Sequence, residues 1–220
     1  MSVQPTEWEG VYSEGPWLLT RNLVPGAAVY GEGLVRSGNV EYRRWDANRS
    51  KLAAYLKRGG RVWPFSDSTH ILYLGAGSGT TASHLSDLCP AGSIVAVELS
   101  PRVFRNLLAL AERRKNLLPV LGDASRPDMY RSHVNAVDVI YQDVAQREQE
   151  EIFAKNLEFL RIGGFGLLMV KARSVDVSAD PKAVYTAVRR GLGSRGLEIL
   201  DLRSLDPFEA DHAAIVVRKR

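Results

Sequence analysis

The sequence has a single cysteine, Cys89, in 220 residues, so no disulfide can form within the chain. Its four histidines, His70, His84, His133 and His212, do not stand at metal-ligand spacing with Cys89 or with one another. Zinc sites and thiol redox chemistry are therefore not indicated. No stretch approaches the roughly 20 apolar residues that span a bilayer, and Met1–Gly10 lacks the basic-then-apolar order of a secretory signal. A cytoplasmic protein without a membrane partner is expected. Neither sign of charge dominates, with 29 Lys and Arg against 25 Asp and Glu, too slight an excess to establish nucleic-acid binding alone. Internal repeats and low-complexity tracts are also missing, and the 45% apolar and 25% charged content excludes disordered and fibrous classes.

What is present is unevenly placed. Arg36, Arg43, Arg44, Arg49, Lys51, Lys57, Arg58 and Arg61 face only Glu41 and Asp46 in the same stretch, a density that reads either as a solvated face or as a phosphate-contacting patch. Residues 1–47 read as a small β-rich unit, with short strands at Trp17–Thr20, Ala28–Tyr30 and Val40–Arg43 between Pro25-Gly26, Gly31, Gly33 and Gly38-Asn39. Residues 48–220 read as one larger domain. A helix starts near Lys51, with Asp46 or Asn48 as its cap, and stops at Gly59-Gly60. Apolar runs then alternate with helical stretches: Ile71–Leu74 and Thr80–Leu88, Ile94–Val97 and Pro101–Lys115, Leu118–Leu121, then Val137–Tyr141 and Glu148–Arg161. This alternation predicts an α/β fold with a parallel sheet wrapped by helices. Phe165–Val170 follows, then a helix over Lys182–Arg190 behind Asp180-Pro181. The last two runs, Leu197–Leu202 and Ala213–Val217, are joined too briefly for a crossover helix, so the final strand should be antiparallel. Seven strands with the last reversed is the methyltransferase variant of the Rossmann-like fold.

Ligands of such sheets lie beyond the carboxyl ends of the strands. The first end carries Gly75, Ala76, Gly77, Ser78, Gly79, Thr80 and Thr81, a turn that brings backbone close to a ligand at a helix start. Roughly twenty residues on stands Glu98, placed to accept hydrogen bonds from both hydroxyls of an adenosine ribose. A dinucleotide fingerprint wants a third glycine or alanine where Thr80 stands, which tilts the choice from a nicotinamide to S-adenosylmethionine. Asp123, between Gly122 and Ala124, offers a carboxylate for an adenine amino group. The predicted cofactor set is Gly75, Gly77, Gly79, Thr80, Thr81, Glu98, Leu99, Asp123, Ala124, Asp143, Val144, Ala145 and Gln146. Asp143 and Lys171, at the next two strand ends, would face one cleft.

Leu18–Gly26, Val29–Glu32, Glu41–Arg43, Arg49–Ala54, Tyr73–Gly75, Gly79–Thr81 and Asp143–Gln146 together resemble the fibrillarin family, in particular its archaeal branch. The resemblance runs over nearly the whole chain. Gly77 departs from it, standing where a side chain is expected, and Arg44–Asn48 varies the usual linker. The glycine-arginine-rich arm of eukaryotic members is missing. The resemblance implies 2′-O-methylation of ribose in rRNA, with tRNA as a second class of target, directed by a box C/D guide RNA. The implied partners are a Nop-domain scaffold protein and a kink-turn-binding ribosomal-type protein. It also implies a catalytic set of Lys51, Asp143, Lys171 and His212. A ribose hydroxyl must lose its proton as it attacks the methyl group. Lys171 is the expected base, helped towards its neutral amine by neighbouring Lys51, with Asp143 orienting it and His212 steering the ensemble. Rival readings are a methyltransferase acting on a base, protein or small molecule, a catalytically silent RNA-binding subunit, and a nicotinamide oxidoreductase.

Overall fold

The computed structural model describes residues 2–220. The N-terminal unit is an antiparallel sheet of β1 (Gln4–Pro5), β2 (Val11–Glu14), β3 (Trp17–Arg21), β4 (Leu34–Ser37) and β5 (Val40–Trp45), in the order β1-β2-β3-β5-β4. Gly38 opens the two-residue loop between β4 and β5 at φ 58, where a twisted hairpin favours glycine. The expected strand at Ala28–Tyr30 does not form. Its backbone is claimed locally: the N–H groups of Val29 and Tyr30 donate to the Glu32 carboxylate, so no ladder partner is needed. Strands β1, β2 and β4 carry too little alternation to be legible in the sequence.

The main sheet follows. It contains β6 (His70–Leu74), β7 (Ser93–Glu98), β8 (Leu117–Leu121), β9 (Val137–Gln142), β10 (Leu160–Lys171), β11 (Glu198–Ser204) and β12 (His212–Arg218), in the order β11-β12-β10-β9-β6-β7-β8. The pairs from β10 to β8 are parallel, and β12 runs antiparallel to both β10 and β11, so the reversed last strand is as expected. The helices are α1 (Lys51–Lys57), α2 (Thr80–Leu88), α3 (Pro101–Ala111), α4 (Gln149–Asn156), the single turn α5 (Ala172–Val175) and α6 (Pro181–Ser194). Central strands are buried on both faces and read as continuous apolar runs. Val11, Leu18 and Trp45 of the small unit share one core with Leu52, Tyr55 and Tyr73 of the main domain.

Several helix boundaries differ from expectation: α3 ends at Ala111 rather than Lys115, and α6 runs on to Ser194 rather than Arg190. The fourth helix ends at Asn156 rather than Arg161, because the Asn156 side chain is drawn inward, accepting from Tyr130 Oη and donating to Ala124 O. Strand β10 then starts before Gly163-Gly164, with a register shift against β9 between Leu160 and Phe165. A Cβ at Gly164 would lie 2.9 Å from Asp138 O, so the close approach at this bulge requires glycine. Helix α1 is entered through Ser50, whose hydroxyl bonds Thr81 Oγ1 at 2.9 Å, while Asp46 holds the turn before it by accepting from Asn48 N. Neither Asp46 nor Asn48 is the cap.

The two sheets are joined by a buried ionic cluster. Asp87 on α2 accepts from Arg43 Nη1 at 2.9 Å, Arg114 Nη1 at 2.6 Å, Thr20 Oγ1 at 2.9 Å and Leu23 N at 3.0 Å. Arg43 also meets Glu32 at 2.6 Å. His84 lies between Thr20 Oγ1 and Tyr30 Oη, and burial first, then Arg43 and Arg114, push its pKa well below the usual histidine value. Arg43 therefore belongs to the core, and neither reading of the basic run, a solvated face or a phosphate-contacting patch, applies to it. The cluster fixes α2, and with it the glycine loop at its start, against the N-terminal unit.

Candidate active site

The ends of β6, β7, β8, β9 and β10 converge on a cleft of about 630 Å³. Its floor is the loop after β6. Gly75 N and Ala76 N both donate to Val97 O, and Asp143 N donates to Leu74 O at 2.9 Å. At Gly75, φ is 80 and a Cβ would sit 2.3 Å from Asp143 O, so only glycine lets the loop close on the end of β9. Glu98 ends β7 and uses both oxygens on backbone: Gly77 N donates to Oε2 and Ser100 N to Oε1, each at 2.8 Å. The carboxylate is thereby fixed at the cleft wall, with lone pairs to spare for further donors. Nothing lies within 4 Å of a Cβ built on Gly77, so the departure at this position does not disturb the loop.

On the opposite wall stand the four residues of the expected catalytic set. Lys51, at the start of α1, donates from Nζ to Asp143 Oδ2 at 2.9 Å, and both side chains are about one-fifth exposed, 18% and 21%. Asp143 is thus the partner of Lys51, whereas the sequence suggested that it would orient Lys171. The Lys171 amine has no hydrogen-bond or ion-pair partner among the described residues. Its backbone is held by Gln149, whose Oε1 accepts from Lys171 N at 3.0 Å and whose Nε2 donates to Lys171 O at 3.1 Å. His212 lies directly across the strand pair from Lys171. Asp211 before it is left-handed at φ 58, a conformation aspartate tolerates. The His212 Nδ1 lies 2.7 Å from Ala210 O and can only donate there, which leaves Nε2 as an acceptor. Burial first, and also the charge of Lys51, hold its pKa below the usual value, opposed by Ala210 O and by Glu209 at 3.9 Å.

The cleft unites Gly75, Gly77, Glu98, Leu99, Ala124, Val144, Ala145 and Gln146 with Lys51, Asp143, Lys171 and His212. Gly79, Thr80, Thr81 and Asp123 do not line it. Gly79 begins α2 at φ 95, and a Cβ there would meet Leu110 of α3 at 2.5 Å, so this glycine serves helix packing. Thr80 opens a different cavity. Thr81 is engaged by Ser50 and so ties α2 to the residue before Lys51. Asp123 accepts from Ser125 N at 2.8 Å and Gln146 Nε2 at 3.2 Å. Burial opposes its ionisation, but these bonds and Arg126 outweigh it and lower the carboxyl pKa. Sequence reasoning missed Val97, Ser100, Val103 and Glu209 in the lining and Gln149 behind Lys171. Ser100 had a visible signal as the cap of α3. Gln149 had none, since a glutamine opening an acidic helix reads as surface.

A seven-stranded sheet with its last strand reversed, a glycine loop after the first strand and acids at the following strand ends define the fold of S-adenosylmethionine-dependent methyltransferases. An O-methyltransferase from Bacillus cereus, solved in complex with SAH, shares that fold at a TM-score of 0.55 and 19% identity, over 70% of this chain and 75% of its own. The family model for fibrillarin matches residues 3–220, and the chain belongs to the fibrillarin family. It is 45% identical over 226 residues, with complete coverage of both chains, to a fibrillarin-like rRNA/tRNA 2′-O-methyltransferase of Thermococcus sibiricus. Aeropyrum pernix fibrillarin, solved with natively bound S-adenosyl-L-methionine, superposes at a TM-score of 0.91 with 48% identity, covering 99% of this chain and 98% of that one. A fibrillarin solved in a complex with Nop5p superposes at 0.89 with 40% identity, covering 98% and 100%.

Proposed function

We propose that this chain transfers the methyl group of S-adenosylmethionine to ribose 2′-hydroxyls of rRNA and tRNA. It does so inside a box C/D guide-RNA particle with a Nop-domain scaffold and a kink-turn-binding ribosomal-type protein. The observation that carries the reading is the meeting of the Lys51–Asp143 ion pair, Lys171 and His212 across one cleft from the anchored Glu98. The donor set fits the cofactor: Glu98 keeps lone pairs for a ribose diol, Asp143 supplies negative charge near a cationic centre, and a cleft of about 630 Å³ suits a nucleoside-sized ligand. When bound, S-adenosylmethionine supplies an electrophilic methyl group on a sulfonium sulfur. Residues 1–47 and 48–220 are the two units of this reading, joined through the Asp87 cluster. A cytoplasmic setting belongs to it as well, supported by the one cysteine being buried and unpaired.

The remaining work falls to the chain's own side chains. Asp143 is held by Lys51, so its carboxylate is available to a cationic group with a fixed orientation. The Lys171 amine has no hydrogen-bond or ion-pair partner among the described residues, and in its neutral form it takes the proton of the attacking hydroxyl. Gln149 fixes the backbone from which Lys171 extends. His212, neutral at Nε2, accepts a hydrogen bond at the acceptor side of the cleft. Positioning the hydroxyl about 3 Å from the methyl carbon then supplies most of the acceleration. A second reading has its own observation: a neutral imidazole with Nε2 free is itself competent as the base.

The test is reconstitution with guide RNA, target RNA and both partner proteins, followed by mass spectrometric mapping of methylated nucleotides. Changing the guide should move the methylated site. A site that stays put, or equal activity of the chain alone, overturns the guided reading. Single-turnover rates of Lys171→Met and His212→Gln separate the two bases, since the true base is the one whose loss removes turnover at every pH.

A further inference from the structure

Ser50, the residue before Lys51, does not use its hydroxyl as a helix-capping serine does. Serine at an N-cap ordinarily accepts a hydrogen bond from the first turn of its own helix, yet Ser50 makes no such bond. Its Oγ lies instead 2.9 Å from Oγ1 of Thr81, the second residue of α2. Both residues are buried, at 2% and 5% exposure, whereas Asn48 and Arg49 just before Ser50 are exposed. Ser50 is thus the point at which the exposed turn is tied down, one residue ahead of the catalytic set.

The bond joins two sides of the cleft. Thr81 belongs to the helix that follows the glycine loop, and Asp143 is tied to the start of that loop, through its N–H to Leu74 O and the close approach of its carbonyl to Gly75. Lys51 reaches Asp143 from α1, outside the sheet. Apolar packing of Leu52, Ala53 and Tyr55 holds α1 in the core, but that attraction has no direction. The Lys51–Asp143 pair does not fix the helix either, since a partly exposed pair on a long side chain is weak. A hydroxyl–hydroxyl bond kept from water, one residue before Lys51, supplies the missing direction. We propose that Ser50 is a positioning residue for methyl transfer, its bond to Thr81 setting where Lys51, and with it the Asp143 carboxylate, stands relative to the glycine loop. The proposal rests on the roles proposed above for Lys51 and Asp143.

The experiment compares single-turnover methyl transfer in the reconstituted guide-RNA particle, at saturating S-adenosylmethionine, for wild type, Ser50→Ala, Ser50→Thr, Thr81→Val and the double variant Ser50→Ala/Thr81→Val. Ser66→Ala is the control, because it removes a similar hydroxyl pair, Ser66 Oγ to Thr69 Oγ1 at 3.1 Å, at the end of β6 away from the cleft. Ser50→Ala should lower the rate about tenfold or more while S-adenosylhomocysteine binds within about twofold of wild type. Ser50→Thr keeps the hydroxyl and should retain most of the rate. The double variant should be no slower than the slower single one, since both changes remove the same bond. In the chain without cofactor or RNA, Ser50→Ala should also speed reductive methylation of the Lys51 amine severalfold relative to exposed Lys115, because a lysine freed from its carboxylate is more often neutral. If wild type methylates and Ser50→Ala matches its rate, or Ser66→Ala slows it as much, Ser50 does not position the site. Additive losses in the double variant, or unchanged labelling of Lys51, overturn the proposal equally. Should the melting temperature show that Ser50→Ala does not fold, Thr81→Val carries the same comparison. A wild-type particle without methylation refutes the proposed function itself, and the positioning role falls with it.

Discussion

Exchanging Glu98 for glutamine tests the cofactor wall with the smallest change of shape. Each carboxylate oxygen accepts one backbone N–H at 2.8 Å, from Gly77 and from Ser100. Glutamine retains one acceptor oxygen and places an NH₂ group where the other stood, so either Gly77 N or Ser100 N faces a donor whichever way the amide is turned. The amide must rotate, and one bond to the loop and one to a ribose hydroxyl are lost. A hydrogen bond to a charged group contributes about 1.5–3 kcal/mol, so Glu98→Gln should weaken S-adenosylhomocysteine binding roughly ten- to a hundredfold. The unligated protein should lose only about 1–2 kcal/mol, the cost of one partly buried N–H left without a partner. Titration calorimetry against S-adenosylhomocysteine, with urea unfolding of both proteins, reads the two effects separately. A dissociation constant within twofold of wild type would refute the assignment of Glu98 to the ligand.

Three further outcomes follow from the same geometry. Asp87→Asn leaves Arg43 and Arg114 buried without their shared anion and should cost about 3–5 kcal/mol in urea unfolding; a loss below 1 kcal/mol would show that the cluster contributes nothing to joining the two units. His84 and His212 have folded-state pKa values below the usual 6.5, so the unfolded chain binds more protons between the two values. Their contribution is full above pH 6.5 and is lost as pH falls below it, at up to about 1.4 kcal/mol per pH unit for each histidine. Unfolding free energies that stay flat between pH 7.5 and 5.5 would contradict this. Gln149→Leu should lower single-turnover methyl transfer about tenfold or more at unchanged cofactor affinity, because it releases the backbone beneath Lys171, and an unchanged rate would remove Gln149 from the positioning of that lysine.

The sequence by itself determined the sheet and its reversed last strand. Continuous apolar runs such as Ile71–Leu74 and Ala213–Val217 can only be buried strands at those lengths, and the short polar link before His212 leaves no room for a crossover. It also determined Gly75, Glu98, Asp143 and Lys171 as cleft residues, because a strand end is a fixed place in such a fold and these residues directly end or follow strands. What only the tertiary structure decided lies in pairings between distant segments. Arg43 looked like one more cation in a basic run and is in fact a core residue, since its partners Glu32 and Asp87 are brought to it by two different elements. Asp143 pairs with Lys51, ninety-two positions away, and not with Lys171 on the adjacent strand. Gln149 supports Lys171 through a contact that no periodicity encodes. Strand and helix patterns are local and repeat along the chain, whereas the choice of partner for a charge or an amide depends on which elements the fold sets side by side.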